Sequence, residues 1–274
     1  MRILVTGAGG QLGLELKDLL AREHEVVALT HGELDISDST AVERALREYE
    51  PERVINAAAY TDVDGCELEP ELAYRVNTLG PRNLAQFCER RGCEILHVST
   101  NYVFDGGKER PYDTGDPAIP MNVYGRTKLA GEEYVKHLST RWYIVRSAGI
   151  YGRGNNFVRT MLRMGSEVST IKVKQDEFIS PTYARDLAEG IASVSENGLY
   201  GVYHVTNSGS CSWYEFAREI FTIAEVEVDV VPIPSSEYPL PAARPANGVI
   251  QGADSPKLRH WREALEQYLE KPPG

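Results

Sequence analysis

The chain has 274 residues, of which 42% are hydrophobic, so it can bury a sizeable core in one large domain or two small ones. Its formal net charge of −11 argues against binding to nucleic acid or to an anionic membrane, because both ligands are negatively charged. No apolar stretch reaches the length of a membrane span, and the one at the N-terminus is too short for a signal peptide. The four cysteines have no CxxC spacing, which favours free thiols in a cytoplasmic protein.

Short apolar runs alternate with amphipathic segments along the first half of the chain. The apolar runs predict strands at residues 3–5, 26–29, 54–55, 95–98 and 143–145. Helical spacing of apolar residues predicts helices over 12–20, 41–49 and 73–90, with Asp38 and Ser39 as a capping signal for the second. This alternation predicts an α/β fold with a Rossmann-type, doubly wound parallel sheet, which binds ligands at the carboxyl ends of its strands.

The pattern becomes less regular after about residue 152. Residues 230–247 contain five prolines and are predicted to form a loop that shapes a pocket or carries an interface. A final helix is predicted over 262–270, followed by a frayed end at 271–274.

Three glycines, Gly7, Gly10 and Gly13, follow the first predicted strand and lead directly into the first helix. Glycine allows a tight turn and a close backbone approach to a pyrophosphate, and the helix N-terminus offers free N–H groups. A glycine-rich turn without a ligand is the alternative, but the order of the elements favours dinucleotide binding, with Gln11 and Leu12 beside the glycines. We therefore predict a dinucleotide-binding domain over 1–150 and a mainly substrate-binding part over 151–274, smaller than the first and interleaved with it.

The end of the second predicted strand bears on which dinucleotide binds. It lies near Thr30 and His31, so it lacks the acidic residue that would hold the ribose 2′-OH of NAD, although Glu33 is close. This favours NADPH as the cofactor and leaves NADH open. Asp35 and Ile36 are predicted to contact the adenine, or else to be a solvated acid beside a packed apolar residue.

Tyr124 and Lys128 are four residues apart and therefore share one face of a helix. A cation alongside stabilises a phenolate and lowers the pKa of the phenol, which suits Tyr124 to acid–base catalysis near neutral pH. Such a pair is also common on solvated surface helices. Thr100 stands at the end of a predicted strand, where its hydroxyl can hydrogen-bond a substrate carbonyl. Together the three residues predict a catalytic set.

These motifs, with the segments 56–61, 98–106 and 180–184, resemble the dTDP-4-dehydrorhamnose reductase family of extended short-chain dehydrogenases/reductases, from residue 2 to about residue 269. The resemblance implies that Tyr124 protonates the C4 oxygen of a nucleotide-activated sugar while a hydride arrives at C4. It also implies that Lys128 binds the nicotinamide ribose and that Thr100 holds the carbonyl oxygen. The implied wall of the cofactor site is Ala57, Ala58 and Ala59, and the implied substrate-binding residues are Thr100, Asn101, Tyr102, Asn156, Phe157 and Arg244.

Several of these assignments have a purely structural alternative. The alanines also suit tight helix–sheet packing, and Phe157 either stacks on a base or packs in the core. Arg244 either binds a diphosphate bidentately or is a solvated loop arginine. Asn77 resembles a buried helix asparagine of the family, a role that can be structural.

The chain departs from the family pattern in the sugar region. Gly149 stands where tryptophan is frequent, and Asn101 stands where aspartate is frequent, which bears on the identity of the sugar more than on the chemistry. Glu15 matches one glutamate of a magnesium site that some relatives have at a dimer interface. We interpret Glu15 as a surface helix glutamate and predict no metal site, while a homodimer stays open.

The resemblance implies NADPH-dependent reduction of the 4-keto group of a nucleotide-activated 6-deoxy sugar, with dTDP-4-dehydro-L-rhamnose as the first candidate substrate. A 4-ketoreductase for another nucleotide sugar and an epimerase that uses the same Tyr and Lys are alternatives. A non-catalytic NADP-binding regulatory subunit is an alternative of another class.

Overall fold

The computed structural model describes residues 1–270, so the frayed end predicted at 271–274 lies outside the described residues. Its strands, in chain order, are β1 (Arg2–Thr6), β2 (Glu25–Leu29), β3 (Arg53–Asn56), β4 (Glu94–Thr100), β5 (Trp142–Ser147), β6 (Ile150–Tyr151), β7 (Thr170–Lys174), β8 (Phe178–Ile179), β9 (Thr182–Tyr183), β10 (Gly201–His204), β11 (Cys211–Ser212) and β12 (Asp229–Ile233). Its α-helices, in chain order, are α1 (Gln11–Leu20), α2 (Ser39–Tyr49), α3 (Val63–Leu68), α4 (Pro70–Tyr74), α5 (Gly80–Arg91), α6 (Val123–Leu138), α7 (Phe157–Glu167), α8 (Ala184–Glu196), α9 (Trp213–Ile223) and α10 (Trp261–Glu270).

Six strands form one parallel sheet in the order β10-β5-β4-β3-β1-β2. The chain moves from β1 to β2 in one direction and reaches β3 on the other side of β1. Helices connect these parallel strands, as the βαβ pattern predicted. The α/β class with a doubly wound parallel sheet is confirmed, and the reversal between β1 and β3 opens a crevice at the carboxyl ends of the strands.

Alternate residues of the strands pack against helices on the two faces of this sheet. Ile3 and Val5 of β1 face α1 and α8, whereas Leu4 between them faces α2, α5 and α6. Buried leucines and valines at helical spacing, such as Leu16 on α1 and Val42 on α2, complete the two layers. The α2 helix begins where predicted, because the Asp38 carboxylate accepts hydrogen bonds from the N–H groups of its first turn.

The helix predicted over 73–90 contains a π-helical turn. A π-helical turn, Arg75–Leu79, joins α4 to α5, so the segment is helical throughout as predicted, with one wider turn that the periodicity did not indicate. Asn77 lies in this turn, and its amide group binds both the N–H and the C=O of Tyr60, at 2.8 and 3.0 Å. The wider turn therefore directs a buried side chain to the chain segment that follows β3.

The second half of the chain builds a separate apolar core from α7, α9 and α10 with β7 and β12, around Phe216 and Trp261. Between these elements, α8 and β10 return to the large sheet. The loop predicted over 230–247 begins as a strand instead, because β12 pairs with β7 through Ile233. Pro232 is tolerated there because β12 has a neighbour on one side only. Within residues 1–270, no helix is both long and apolar enough to cross a bilayer.

Candidate active site

A cavity of about 560 Å³ lies at the carboxyl ends of β1, β3, β4 and β5. This volume is in the range of small-molecule and cofactor sites. Most of the predicted site residues line it: Gly7, Gly10, Gln11, Leu12, Gly13, Asp35, Ile36, Ala57, Ala58, Ala59, Thr100, Asn101, Tyr102, Tyr124 and Lys128. Residues far apart in sequence therefore meet at one edge of the sheet.

The glycine-rich loop packs so tightly against the sheet that side chains are excluded. Gly7 has a φ of +70°, and a Cβ added to it would lie 2.6 Å from the backbone nitrogen of Ala58. A Cβ on Gly13 would overlap the carbonyl oxygen of Gly7 and lie 2.7 Å from the Cα of Ala8. Gly10 precedes α1 without a side-chain cap, so the first N–H groups of this helix have no side-chain acceptor from it. The first turn of α1 thus presents backbone donors to an anion.

Two polar side-chain atoms in this wall are buried without a hydrogen-bond partner among residues 1–270. They are Oε1 of Gln11 and Oγ of Ser147, and both residues line the cavity. A buried polar atom without a partner costs free energy, so a polar ligand in the cavity would remove that cost. The residues present therefore fit a dinucleotide. The sequence analysis missed Ser147, although it ends β5 as Thr100 ends β4.

The far end of the cavity is lined by His31, Leu34, Asp35 and Ile36. Glu33 does not belong to this lining. Its carboxylate accepts hydrogen bonds from the N–H and hydroxyl of Thr30, at 2.8 and 2.7 Å, and these bonds lower its pKa. The carboxylate closest to the end of β2 is therefore hydrogen-bonded to a residue of its own loop.

Tyr124 is 9% exposed and lies at the start of α6, with its ring 5.5 Å from that of Tyr102 in an edge-to-face arrangement. Burial raises the pKa of the Tyr124 phenol well above its usual value, and a hydrogen bond with Thr100 partly opposes this. Desolvation of the phenolate is the largest influence on this pKa, and its lowering by Lys128 stays a prediction. The phenol is therefore held in its protonated form.

Lys128 is 2% exposed, one turn further along α6. Its Nζ donates to the carbonyl oxygen of Val98 at 2.7 Å and lies 3.5 Å from Nε2 of His97. Burial lowers the pKa of Lys128 to about 8, and the Glu132 carboxylate partly opposes this shift. Unlike an exposed lysine, this amine can exchange its proton near neutral pH.

A buried polar network holds α6 against the sheet. Oε1 of Glu132 accepts from the hydroxyl of Ser99 at 2.5 Å, and the Arg146 guanidinium donates to both carboxylate oxygens, at 2.9 and 2.7 Å. These contacts connect α6 to β4 and β5, the strands that end at Thr100 and Ser147. The network was not predicted, because no local spacing links its members.

Arg244 is not the solvated loop arginine that was one of the two alternatives. Its side chain is 14% exposed, and its guanidinium binds both carboxylate oxygens of Asp64 at 2.6 Å. These hydrogen bonds are the main reason that the pKa of Asp64 is lowered. Arg244 lines a second, smaller cavity, which shares Asn101, Tyr102 and Gly149 with the large one and also contains Trp213.

Asn156 and Phe157 lie outside both cavities. The Asn156 amide caps α7 by accepting from the N–H of Arg159 at 3.2 Å, and it donates to the carbonyl oxygen of Gly152 at 2.7 Å. Phe157 stacks on Phe216, with ring centroids 5.6 Å apart, at the edge of the second core. Both have structural roles here, and their contact with a substrate stays a prediction.

Glu15 is buried, so its interpretation as a surface helix glutamate is wrong. It is 7% exposed, and Nε of Arg153 lies 2.9 Å from its Oε1. Arg153 also binds the Asp18 carboxylate at 2.5 Å. An arginine from the loop after β6 therefore neutralises this carboxylate, which sequence position alone did not indicate.

Comparisons with known proteins show which family the chain resembles along its whole length. A family model described as the RmlD substrate binding domain matches residues 1–272. The dTDP-4-dehydrorhamnose reductase of Mycobacterium tuberculosis is 41% identical, over 99% of this chain and 93% of that protein. A crystal structure of a dTDP-4-dehydrorhamnose reductase from Clostridium acetobutylicum has a TM-score of 0.97 at 42% identity, covering 98% of this chain and 99% of that one. The Bacillus anthracis enzyme, crystallised in complex with NADP, has a TM-score of 0.95 at 40% identity, with the same coverage of both chains.

Proposed function

This chain belongs to the RmlD substrate binding domain family, and we propose that it uses NADPH to reduce the 4-keto group of a nucleotide-activated 6-deoxy sugar, dTDP-4-dehydro-L-rhamnose in the first instance. One observation carries the proposal. Tyr124, Lys128 and Thr100 line one cavity with a glycine-rich loop whose geometry excludes side chains. A proton donor, a buried amine and an anion-binding loop in one cavity suit ketone reduction.

Each residue has a defined task in this chemistry. The nicotinamide cofactor that this cavity would hold would supply hydride to C4 of the sugar. The Tyr124 phenol, kept protonated by burial, gives its proton to O4 as the ketone becomes an alcohol. Thr100 donates a hydrogen bond that orients the same oxygen. The Lys128 ammonium then returns a proton to the Tyr124 phenolate.

The choice of NADPH over NADH rests on the end of β2. A free carboxylate there would hold the ribose 2′-OH of NAD and repel a 2′-phosphate. Glu33 is bound to Thr30 instead, and His31 lines the cavity at this point. The NADP bound to the Bacillus anthracis relative supports the same choice. A KM for NADH below that for NADPH would contradict it.

Arg244 is the candidate ligand for the substrate diphosphate. Its guanidinium is largely buried and binds both oxygens of the Asp64 carboxylate, which is the bidentate geometry that arginine also uses to bind phosphate groups. The part of the chain after residue 150 supplies this residue and Trp213 to the smaller cavity, which is consistent with a substrate-binding role for that part. Replacing Arg244 by Met should raise KM for the sugar nucleotide more than it lowers kcat. An unchanged KM would remove Arg244 from the site.

The test of the function follows NADPH absorbance with dTDP-4-dehydro-L-rhamnose. Wild type should consume NADPH, and Tyr124→Phe should lose at least about 100-fold in kcat, because the proton donor is gone. Tyr134→Phe is the matched control, because it removes a phenol hydroxyl from the same helix outside the cavity. No turnover by wild type, with NADPH binding confirmed, would refute the substrate assignment.

The same assay separates the alternatives. A 4-ketoreductase for another sugar would consume NADPH only with a different keto-sugar nucleotide. An epimerase would interconvert two sugars without net consumption of NADPH. A regulatory subunit would bind NADPH tightly and turn over none of these substrates.

We also propose that the protein is cytoplasmic and that it forms a homodimer. The four cysteines of the chain are all free and buried, which is consistent with the reducing environment of the cytoplasm. Sedimentation at micromolar concentration tests the dimer, and a monomer there would contradict it.

A further inference from the structure

A chain of buried hydrogen bonds runs from the dinucleotide cavity to Lys128 through Asn56 and His97. Asn56 ends β3 beside the alanines of the cavity wall, and His97 lies in the neighbouring strand β4. Both side chains are fully buried. The mechanism proposed above does not use either residue.

The direction of every bond in this chain follows from one backbone donor. The N–H of Ala58 can only donate, so the Asn56 atom that it meets at 3.2 Å is the amide oxygen. That oxygen also accepts from the Thr6 hydroxyl at 2.7 Å. The amide nitrogen of Asn56 must then face Nδ1 of His97, at 3.0 Å, and donate to it. A neutral His97 whose Nδ1 accepts carries its proton on Nε2.

This tautomer determines what His97 offers to Lys128. The Nε2–H group points to Nζ of Lys128 at 3.5 Å, so it can donate a long hydrogen bond only to the neutral amine. Toward an ammonium the same group is repulsive. Burial and the nearby Lys128 hold the pKa of His97 well below its usual value, so the ring stays neutral.

We propose that Asn56 locks His97 as the Nε2–H tautomer, and that His97 is thereby a positioning residue that stabilises Lys128 after it has given its proton to Tyr124. The inference rests on the proposed function for its role in turnover. The proton leaves the Lys128 ammonium for the Tyr124 phenolate, and the lone pair left on Nζ accepts the His97 N–H. Solvent protons restore the ammonium in the next cycle.

Two titratable groups act on Lys128 in opposite senses. Glu132, one turn along α6, favours the ammonium form of Lys128, although the Glu132 carboxylate also forms a salt bridge with Arg146. His97, from β4, favours the amine. The balance keeps both protonation states of Lys128 accessible, and Val98 accepts a hydrogen bond from Nζ in either state.

The experiment reads the tautomer directly and needs no substrate. In protein labelled with ¹⁵N-histidine and ¹³C-lysine, long-range ¹H–¹⁵N spectra should show His97 with Nε2–H and a bare Nδ1 from pH 6 to 9. The variant His97→Gln assigns the signal. The Lys128 side-chain shifts should titrate with a midpoint near pH 8.

The substitution Asn56→Asp reverses the direction of the hydrogen bond to His97 and keeps the hydrogen bonds from Thr6 and Ala58. The aspartate still accepts from Thr6 and Ala58, but its second oxygen accepts from His97 and therefore demands Nδ1–H. We expect the tautomer to switch and the Lys128 midpoint to rise by about one pH unit or more, because the bare Nε2 now accepts from the ammonium. Asn77→Asp is the control, since it adds a carboxylate that meets α6 at Thr127 without touching His97, and it should leave the tautomer unchanged.

An Nδ1–H or doubly protonated His97 in wild type at pH 7 would overturn the inference. So would an Asn56→Asp protein in which the tautomer or the Lys128 midpoint stays as in wild type. If Asn56→Asp does not fold, the wild-type tautomer decides alone. If wild type reduces no keto-sugar nucleotide, the proposed function fails, while these spectra still test His97.

Discussion

Arg146→Met should destabilise the folded protein by about 3 kcal/mol, because it removes the main counter-charge of the buried Glu132 carboxylate. The two side chains are 4% and 0% exposed, and both carboxylate oxygens accept from the guanidinium. Removing one partner of such a pair costs about 3–5 kcal/mol. We expect the lower end, because Nζ of Lys136 lies 3.9 Å from the carboxylate and offsets part of the loss.

Urea unfolding at 25 °C and pH 7.5 measures this cost. With a slope of about 3 kcal/mol/M, the midpoint should fall by about 1 M. The double variant Arg146→Met/Glu132→Leu should recover most of the loss, because it buries no charge. Arg47→Met is the surface control. It breaks an exposed pair with Glu43 on α2 and should cost less than about 0.5 kcal/mol.

Two results would refute the reasoning. One is a midpoint for Arg146→Met that matches the Arg47→Met control, since Glu132 would then not depend on its partner. The other is a double variant as unstable as the single one, since the loss would then come from packing rather than from an unpaired charge.

Three further predictions concern pH and the glycine-rich loop. The rate of ketone reduction should fall as pH rises through about 8, where Lys128 loses its proton, and a rate that stays flat to pH 10 would contradict this. Burial lowers the pKa of His204 to about 4, so between pH 6.5 and 4 the unfolded state binds a proton that the folded state does not. Stability should therefore fall as pH falls through that window, by about 3 kcal/mol from this group, and urea unfolding of His204→Gln should show a correspondingly smaller loss. Gly13→Ala should weaken NADPH binding at least about tenfold in fluorescence titration, because its Cβ would overlap Gly7, whereas Gly32→Ala, with open space around its Cβ, should bind as wild type does.

Features that depend on neighbours in sequence were predictable. Each predicted strand and helix rests on its own run of residues, and the glycine spacing from Gly7 to Gly13 and the cap at Asp38 are patterns over a few consecutive residues. The structure departs from the local pattern where a distant contact overrides it. The π-helical turn at Arg75–Leu79 is held by Asn77 on Tyr60, and the strand β12 forms across a proline because β7 lies beside it.

The sequence by itself determined the nucleotide-binding architecture and the helix that places Tyr124 and Lys128 together, because both follow from short periodic patterns. Only the tertiary structure decided what surrounds those groups. Arg244 meets Asp64 across 180 residues of sequence, and His97 meets Lys128 across 31. Such partners are brought together by the order of strands in the sheet and the side of it on which each helix packs, and no local spacing encodes that order.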